Sequence, residues 1–85
     1  MAYADLRGAN LELADLAASK LTGANLHEAN IAHADLRSAD LRYADLRAAR
    51  LDGTDLSGAL LGDAIWLSGE RCSRDSVGIC QVDKE

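Results

Sequence analysis

From Leu6 to Leu61 an aliphatic residue returns at every fifth position, twelve times without an insertion or a slip. Ile31 fills one of these centres and leucine fills the rest. Two residues ahead of each centre stands alanine, except at Ser19 and Thr54. Between the two comes Asp or Asn in nine of the twelve units, with Lys20, Arg50 and Leu60 departing. A five-residue step turns an α-helix by about 500°, which would scatter these leucines and leave no apolar stripe. In an uninterrupted strand, residues five apart face opposite sides. A coiled coil needs a period of seven, and leucine-rich repeats need a unit of about 20–29 residues. One spacing excludes all four.

What remains is a short extended piece and a corner in every unit. In Ala-Asp-Leu the first and third side chains share a face, so alanine and leucine point inward and the acid or amide outward. The two residues that follow turn the chain. They are Arg-Gly, Thr-Gly, His-Glu, Arg-Ser, Arg-Tyr, Asp-Gly or Ser-Gly in various units, small or polar as a corner requires. Four corners close a square, so one coil takes four units and twelve units make three coils. Stacked coils pair their backbones at about the 4.8 Å strand spacing. Alanine at the second inward position is a size limit, because a narrow interior cannot hold two large side chains per unit.

Ala-Asp-Leu-Arg-Gly, Ala-Asn-Leu-His-Glu and Ala-Asp-Leu-Arg-Ser, with their neighbours in residues 4–63, resemble the pentapeptide-repeat family, whose units read roughly Ala-(Asp/Asn)-Leu-x-x. The resemblance implies an all-β fold: a right-handed, four-sided parallel β-helix of about three coils with a C-terminal cap. Residues 1–68 are expected to form the β-helix and residues 69–85 the capping segment. The stretch from Trp66 to Cys72, continuing to Cys80, is similar to a C-terminal closure found in some members. Ala64 and Trp66 keep the five-residue phase, and Trp66 falls in the column of Leu6, Leu26 and Leu46, where it would form a lid on the core.

Cys72 and Cys80 enclose a bendable loop with Ser73, Asp75, Ser76 and Gly78, and a Cys-x-x-Cys motif is absent. Two readings stand, a Cys72–Cys80 disulfide or two free thiols. A disulfide would stabilise the tail by roughly 2–3 kcal/mol on the loop-entropy account. It would also place the chain in the periplasm, a thylakoid lumen or the extracellular space; free thiols would place it in the cytoplasm. Met1 runs almost directly into the repeats, which fits a leaderless start and a removed leader equally. Residues 81–85 are expected to fray.

The net charge of −5 is spread along the chain, with ten acids and six bases in residues 4–63. Nucleic-acid binding normally begins at a basic patch, and this chain has none, so no nucleic acid is expected. No apolar run is long enough to span a membrane. Stacking at twenty residues lines the outward side chains into columns: Asp15, Asp35, Asp55; Arg7, His27, Arg47; and Tyr3, Gly23, Tyr43, Asp63. Asp and Asn at turns accept hydrogen bonds from nearby backbone N–H groups, which would relieve the acid column. Calcium wants six to eight oxygens and no loop gathers them, and His27 and His33 have no partner to complete a zinc site. No metal and no cofactor are expected.

No serine has a histidine arranged as a base, and no Gly-rich phosphate loop occurs. The chain therefore reads as a non-enzymatic interaction scaffold for a protein partner. Its candidate contacts are Tyr3, Arg7, His27, Tyr43 and Arg47, with the acid column as a further surface. The family resemblance implies a second function, since some members imitate duplex DNA and inhibit or protect type II topoisomerases. The acid column favours it; three coils, interspersed arginines and modest net charge oppose it. A solenoid exposes strand edge and core at an uncapped end. Either Met1, Tyr3 and local twisting cover the N-terminal end, or it meets another copy or continues a longer chain.

Overall fold

Every unit forms one side of a square, and each side stacks on the unit twenty residues later. The computed structural model describes residues 3–81. Parallel bridges run Asp5 to Asn25 to Asp45 to Ile65 on one face, and Asn10 to Asn30 to Arg50 on the next. The third face stacks Asp15, Asp35 and Asp55, and the fourth Lys20, Asp40 and Leu60. The backbone pattern is uniform: the Asn25 N–H donates back to Ala4 O at 2.8 Å, and the Leu26 N–H donates on to Asp45 O at 2.8 Å. The outward residue of each unit thus points both its N–H and its C=O toward the preceding coil, as a parallel ladder requires.

The core is the inward Ala and Leu of each unit, as the period of five implies. Leu26, Ile31, Leu36, Leu41 and Leu46 are fully buried, with Ala24, Ala29, Ala34, Ala39 and Ala44 between them. Thr54, which replaces an alanine, satisfies its hydroxyl by donating to Ile31 O at 2.7 Å. Burial fails at the first coil. Leu6, Leu11 and Leu16 pack against the core but are only half-buried, because no described coil stands on their other side. Met1, expected to help cover this end, lies outside the described residues.

The corners carry a conformational demand that the residue types do not advertise. Every fifth residue from Tyr3 to Asp63 has φ between 58° and 70°, and nine of these positions are not glycine. Leu13, Glu28 and Tyr43 therefore hold left-handed backbone, which costs roughly 1–2 kcal/mol each for a residue with a Cβ. Repeated bonding to the next coil holds them there; the Leu13 N–H donates to Ala32 O, and the Tyr43 N–H to Gly62 O. At two corners where the next coil has glycine, a ring lies on it, while at Gly58 the neighbour is Ser38. Tyr3 covers Gly23 and His33 covers Gly53, at sites where a Cβ would run into the ring.

After Trp66 the chain reverses. A tight turn is closed by the Gly69 N–H donating to Trp66 O, and Arg71 then pairs antiparallel with Ile65, as Val77 does with Leu60. The tail covers the last coil on this side: Asp63 donates to Cys72 O, Cys72 to Ala64 O, Leu61 to Ser76 O, and Gly78 to Ala59 O. Gly62 is buried under it, with the Arg74 carbonyl seated where a side chain would otherwise stand. The other half of this end is not covered by the described residues. Leu51 and Leu56 are half-buried, and Leu51, Gly53, Leu56 and Gly58 donate no backbone hydrogen bond among the described residues.

Cys72 and Cys80 stand at disulfide-bonding distance, with Cα atoms 5.0 Å apart. Cys72 belongs to the core, and Ser76 beside it is the buried polar residue of the tail. The Ser76 hydroxyl accepts from the Gln81 N–H at 3.0 Å and lies 3.1 Å from the Ser73 hydroxyl. Trp66 packs on the core cluster while remaining half-exposed, so it shares the lid with Leu67, Cys72 and Cys80. Of residues 81–85, expected to fray, Gln81 is instead held, accepting from the Ser73 N–H and donating to the Ser76 hydroxyl, and Val82 to Glu85 lie outside the described residues.

Candidate functional site

The outward positions form the surface, and their chemistry is settled largely within each unit. All nine outward Asp and Asn side chains accept a hydrogen bond from the backbone N–H two residues on, from Asp5 with Arg7 to Asp55 with Ser57. That contact folds the acid or amide against its own corner and explains why these two residue types recur there. It is also the relief the acid column needs. Asp15, Asp35 and Asp55 each receive such a bond, at 3.3, 3.1 and 3.0 Å.

Four units add a second element. Where the triplet is Asp-Leu-Arg, the guanidinium forks onto the carboxylate with two parallel hydrogen bonds. This occurs at Asp5–Arg7, Asp35–Arg37, Asp40–Arg42 and Asp45–Arg47, with N–O distances of 2.7–2.9 Å. Asp and Arg two apart in an extended piece lie on one face, so the bidentate geometry follows directly from the backbone. Arg37 also reaches Asp55 at 4.0 Å, the one such contact among the described residues that ties the acid column to a cation along the axis.

These forks set the electrostatics. The Arg42 guanidinium holds the Asp40 carboxyl down at about 2, against an opposing push from partial burial. Arg47 and Arg37 lower Asp45 and Asp35 in the same way, and Asp55 is lowered by its hydrogen bonds from Ser57. A depressed folded-state value gives stability that is present above about pH 4 and lost as pH falls toward the folded value. The Asp40 side chain is 18% exposed and Arg42 52%, so solvent screening reduces the contribution. Asp40→Asn keeps the bond from the Arg42 N–H and loses the charge. It is expected to cost about 1 kcal/mol at pH 6 by urea unfolding, with the gap to the unsubstituted protein closing between about pH 4 and pH 2.

The expected contact residues fare differently. Arg7 and Arg47 lie on one column but are each held by the acid of their own unit. His27, between them, is half-buried. A shallow groove joins Arg7 and His27 with Asp5, Gly8 and Glu28. Tyr3 and Tyr43 are 79% and 59% exposed and share the corner column whose middle position is Gly23. A second cleft, at the tail, is polar and lined by Asp63, Arg71, Arg74 and Asp75 among others. No cluster of His, Cys, Asp or Glu fit to hold a metal occurs among the described residues. No helix of the described residues is long and apolar enough to cross a membrane.

A family profile described as pentapeptide repeats matches residues 1–37 and 19–58, in eight copies. The chain belongs to the pentapeptide-repeat family. The right-handed four-sided β-helix follows for it, in agreement with the stacking described above. Two solved pentapeptide-repeat structures are similar to it. HetL, involved in heterocyst differentiation regulation in the cyanobacterium Nostoc sp., is 35% identical with a TM-score of 0.82, over 84% of this chain and 33% of HetL. Rfr23 from the cyanobacterium Cyanothece is 36% identical with a TM-score of 0.76, over 78% of this chain and 46% of Rfr23. This pentapeptide-repeat chain thus spans a third to just under half the length of the solved structures it matches. No curated protein matches it.

Proposed function

We propose that this pentapeptide-repeat chain is a non-enzymatic scaffold that presents one corner column to a protein partner. The observation that carries the reading is the contrast between two kinds of surface. The forked arginines already have partners, whereas Tyr3 and Tyr43 stand out from one corner column, 79% and 59% exposed. Tyrosine is enriched at protein interfaces because it offers large contact area at low entropic cost and a polar tip. HetL acts in a regulatory setting, which fits a fold that works through contacts. Quantitative capture of a purified partner by the intact chain and by Tyr43→Ala tests the reading. A loss of about tenfold or more in affinity is expected for a central tyrosine contact. Unchanged capture by Tyr43→Ala and by Arg47→Glu would remove both candidate columns.

A second reading rests on the acid column. Asp15, Asp35 and Asp55 bridge in register, with Arg37 as the nearby cation, so the face offers a short line of negative charge to a DNA-binding surface. That would make the chain an inhibitor or protector of a type II topoisomerase. The cysteine pair pulls the other way. A disulfide between Cys72 and Cys80 favours the periplasm, a thylakoid lumen or the extracellular space, away from chromosomal topoisomerases. Supercoiling by gyrase, assayed with excess protein, separates the two readings.

A further inference from the structure

The first coil ends in a rim with unused pairing capacity. Asp5, Asn10, Asp15 and Lys20, one per side of the square, donate no backbone hydrogen bond among the described residues. The carbonyls of Asp5, Asn10 and Asp15 accept none among them either. One coil later, Asn25, Asn30 and Asp35 use both groups on the first coil. Half-buried Leu6, Leu11 and Leu16 lie inside the rim, where Leu26, Ile31 and Leu36 are fully covered in the second coil.

We infer that this rim is the interface for a second copy of the chain, joined head to head about a two-fold axis through the Arg7–Gly8 and Ala17–Ala18 corners. It shares the Tyr3 corner with the scaffold reading, whose test falls on Tyr43, two coils away, so either can fail alone. Two copies facing each other by their first coils circulate in opposite senses, so their rim strands run antiparallel. An antiparallel bonded pair requires that each residue offer both N–H and C=O to the other. Asp5, Asn10 and Asp15 are so disposed.

Charge selects among the four possible axes. An axis through two opposite sides sets Asp5 on Asp5 and Asp15 on Asp15, or Lys20 on Lys20 and Asp5 on Asp15. Like charges directly opposed are unfavourable. Only a diagonal axis pairs every acid with an amide or a lysine. Of the two diagonals, the one proposed sets Asp15 on Lys20 of the second copy and Asp5 on Asn10. It gives a cation to Asp15, whose own unit has no arginine, while Asp5 is already held by Arg7. It also brings the Leu13 corner of one copy to the Tyr3 corner of the other; these side chains are 75% and 79% exposed in the single chain. The alternative diagonal would oppose Glu12 to Glu12. Arg7 meets Arg7 across the chosen axis, but each is neutralised by its fork.

The far end excludes an open fibre. Stacking a flat rim on the last coil needs all four sides free, and the tail occupies the Leu60 and Ile65 sides. Head-to-head pairing is closed and stops at two copies. A square of about 20 Å per side with its side chains covers about 400 Å2 per copy, below the usual size of a permanent interface. The dimer is therefore a concentration-dependent equilibrium.

Sedimentation of the intact chain from about 5 to about 500 µM is expected to show monomer passing to dimer and no further. Over the same range, amide exchange at Asp5, Asn10 and Asp15 should slow while that at Leu6, bonded within the chain, stays constant. Lys20→Asp and Asp15→Lys, both on exposed side chains, should each weaken the dimer about tenfold or more, and the double variant should regain it. A monomer throughout overturns the proposal. If its rim amides are protected, the end closes on itself; if they exchange freely, the rim is left to a partner of another sequence. A dimer indifferent to both single reversals, or one the double variant does not restore, overturns the proposed axis.

Discussion

Leu36→Ala is expected to lower the unfolding free energy by about 3 kcal/mol, the middle of the range for truncating a fully buried leucine. Leu36 is 0% exposed and lies in the second coil, with Leu16 one coil before it and Leu56 one coil after. The cavity cannot close easily. Its walls are backbone ladders locked at both neighbouring coils, with the Leu36 N–H donating to Asp55 O and the Leu16 N–H to Asp35 O. Leu11→Ala, at the half-buried rim, removes the same atoms but leaves a dent open to solvent, and about 1 kcal/mol is expected. Urea unfolding of the two variants beside the unsubstituted chain checks the contrast. Equal losses would mean that the first coil is as tightly packed as the second.

The second large effect concerns the tail. Converting both Cys72 and Cys80 to alanine is expected to cost about 2.5 kcal/mol from loop entropy, which for a chain of this size lowers Tm by about 10–20 °C. The cost should not stay local. Releasing the loop frees Cys72, which packs in the core, and loosens the antiparallel strand that covers Leu61 and Ala64. Reductant should produce the same shift in the unsubstituted chain and none in the double variant. Calorimetry in the two redox conditions makes the comparison directly. A Tm unchanged by reductant would mean that the tail holds through its backbone hydrogen bonds alone.

The squareness and the right hand came with the family resemblance; counting by fives was enough to place the inward Ala-Leu pairs and the outward acids, because a short extended piece sends its first and third side chains to one face. The nine outward Asp and Asn were legible for the same reason, their hydrogen bond lying within a single unit. The arginine forks were not foreseen: stacking the outward residues into columns along the axis masks a contact that runs across them, within each Asp-Leu-Arg triplet. Arg7 and Arg47 looked available when each had a partner two residues away. The left-handed corners at Leu13, Glu28 and Tyr43 leave no such trace, since these residue types have no preference for that backbone and the neighbouring coil imposes it. Gly62 sits at an ordinary corner position, and only the return of the tail shows why its missing side chain matters. The reversal after Trp66 was illegible because the five-residue beat ends there and an antiparallel return obeys no such beat.

Because each acid is tied to its own corner within a single unit, the exterior is written in self-contained words of five letters. Deleting or duplicating twenty residues would shorten or lengthen the rod with every stripe still aligned. Gaining only five would rotate everything upstream by a quarter-turn against everything downstream, scrambling the stripes while sparing the interior. Change in such a chain is therefore quantised: its length can drift in whole turns, and its exterior pattern can be reshuffled without disturbing what holds it together.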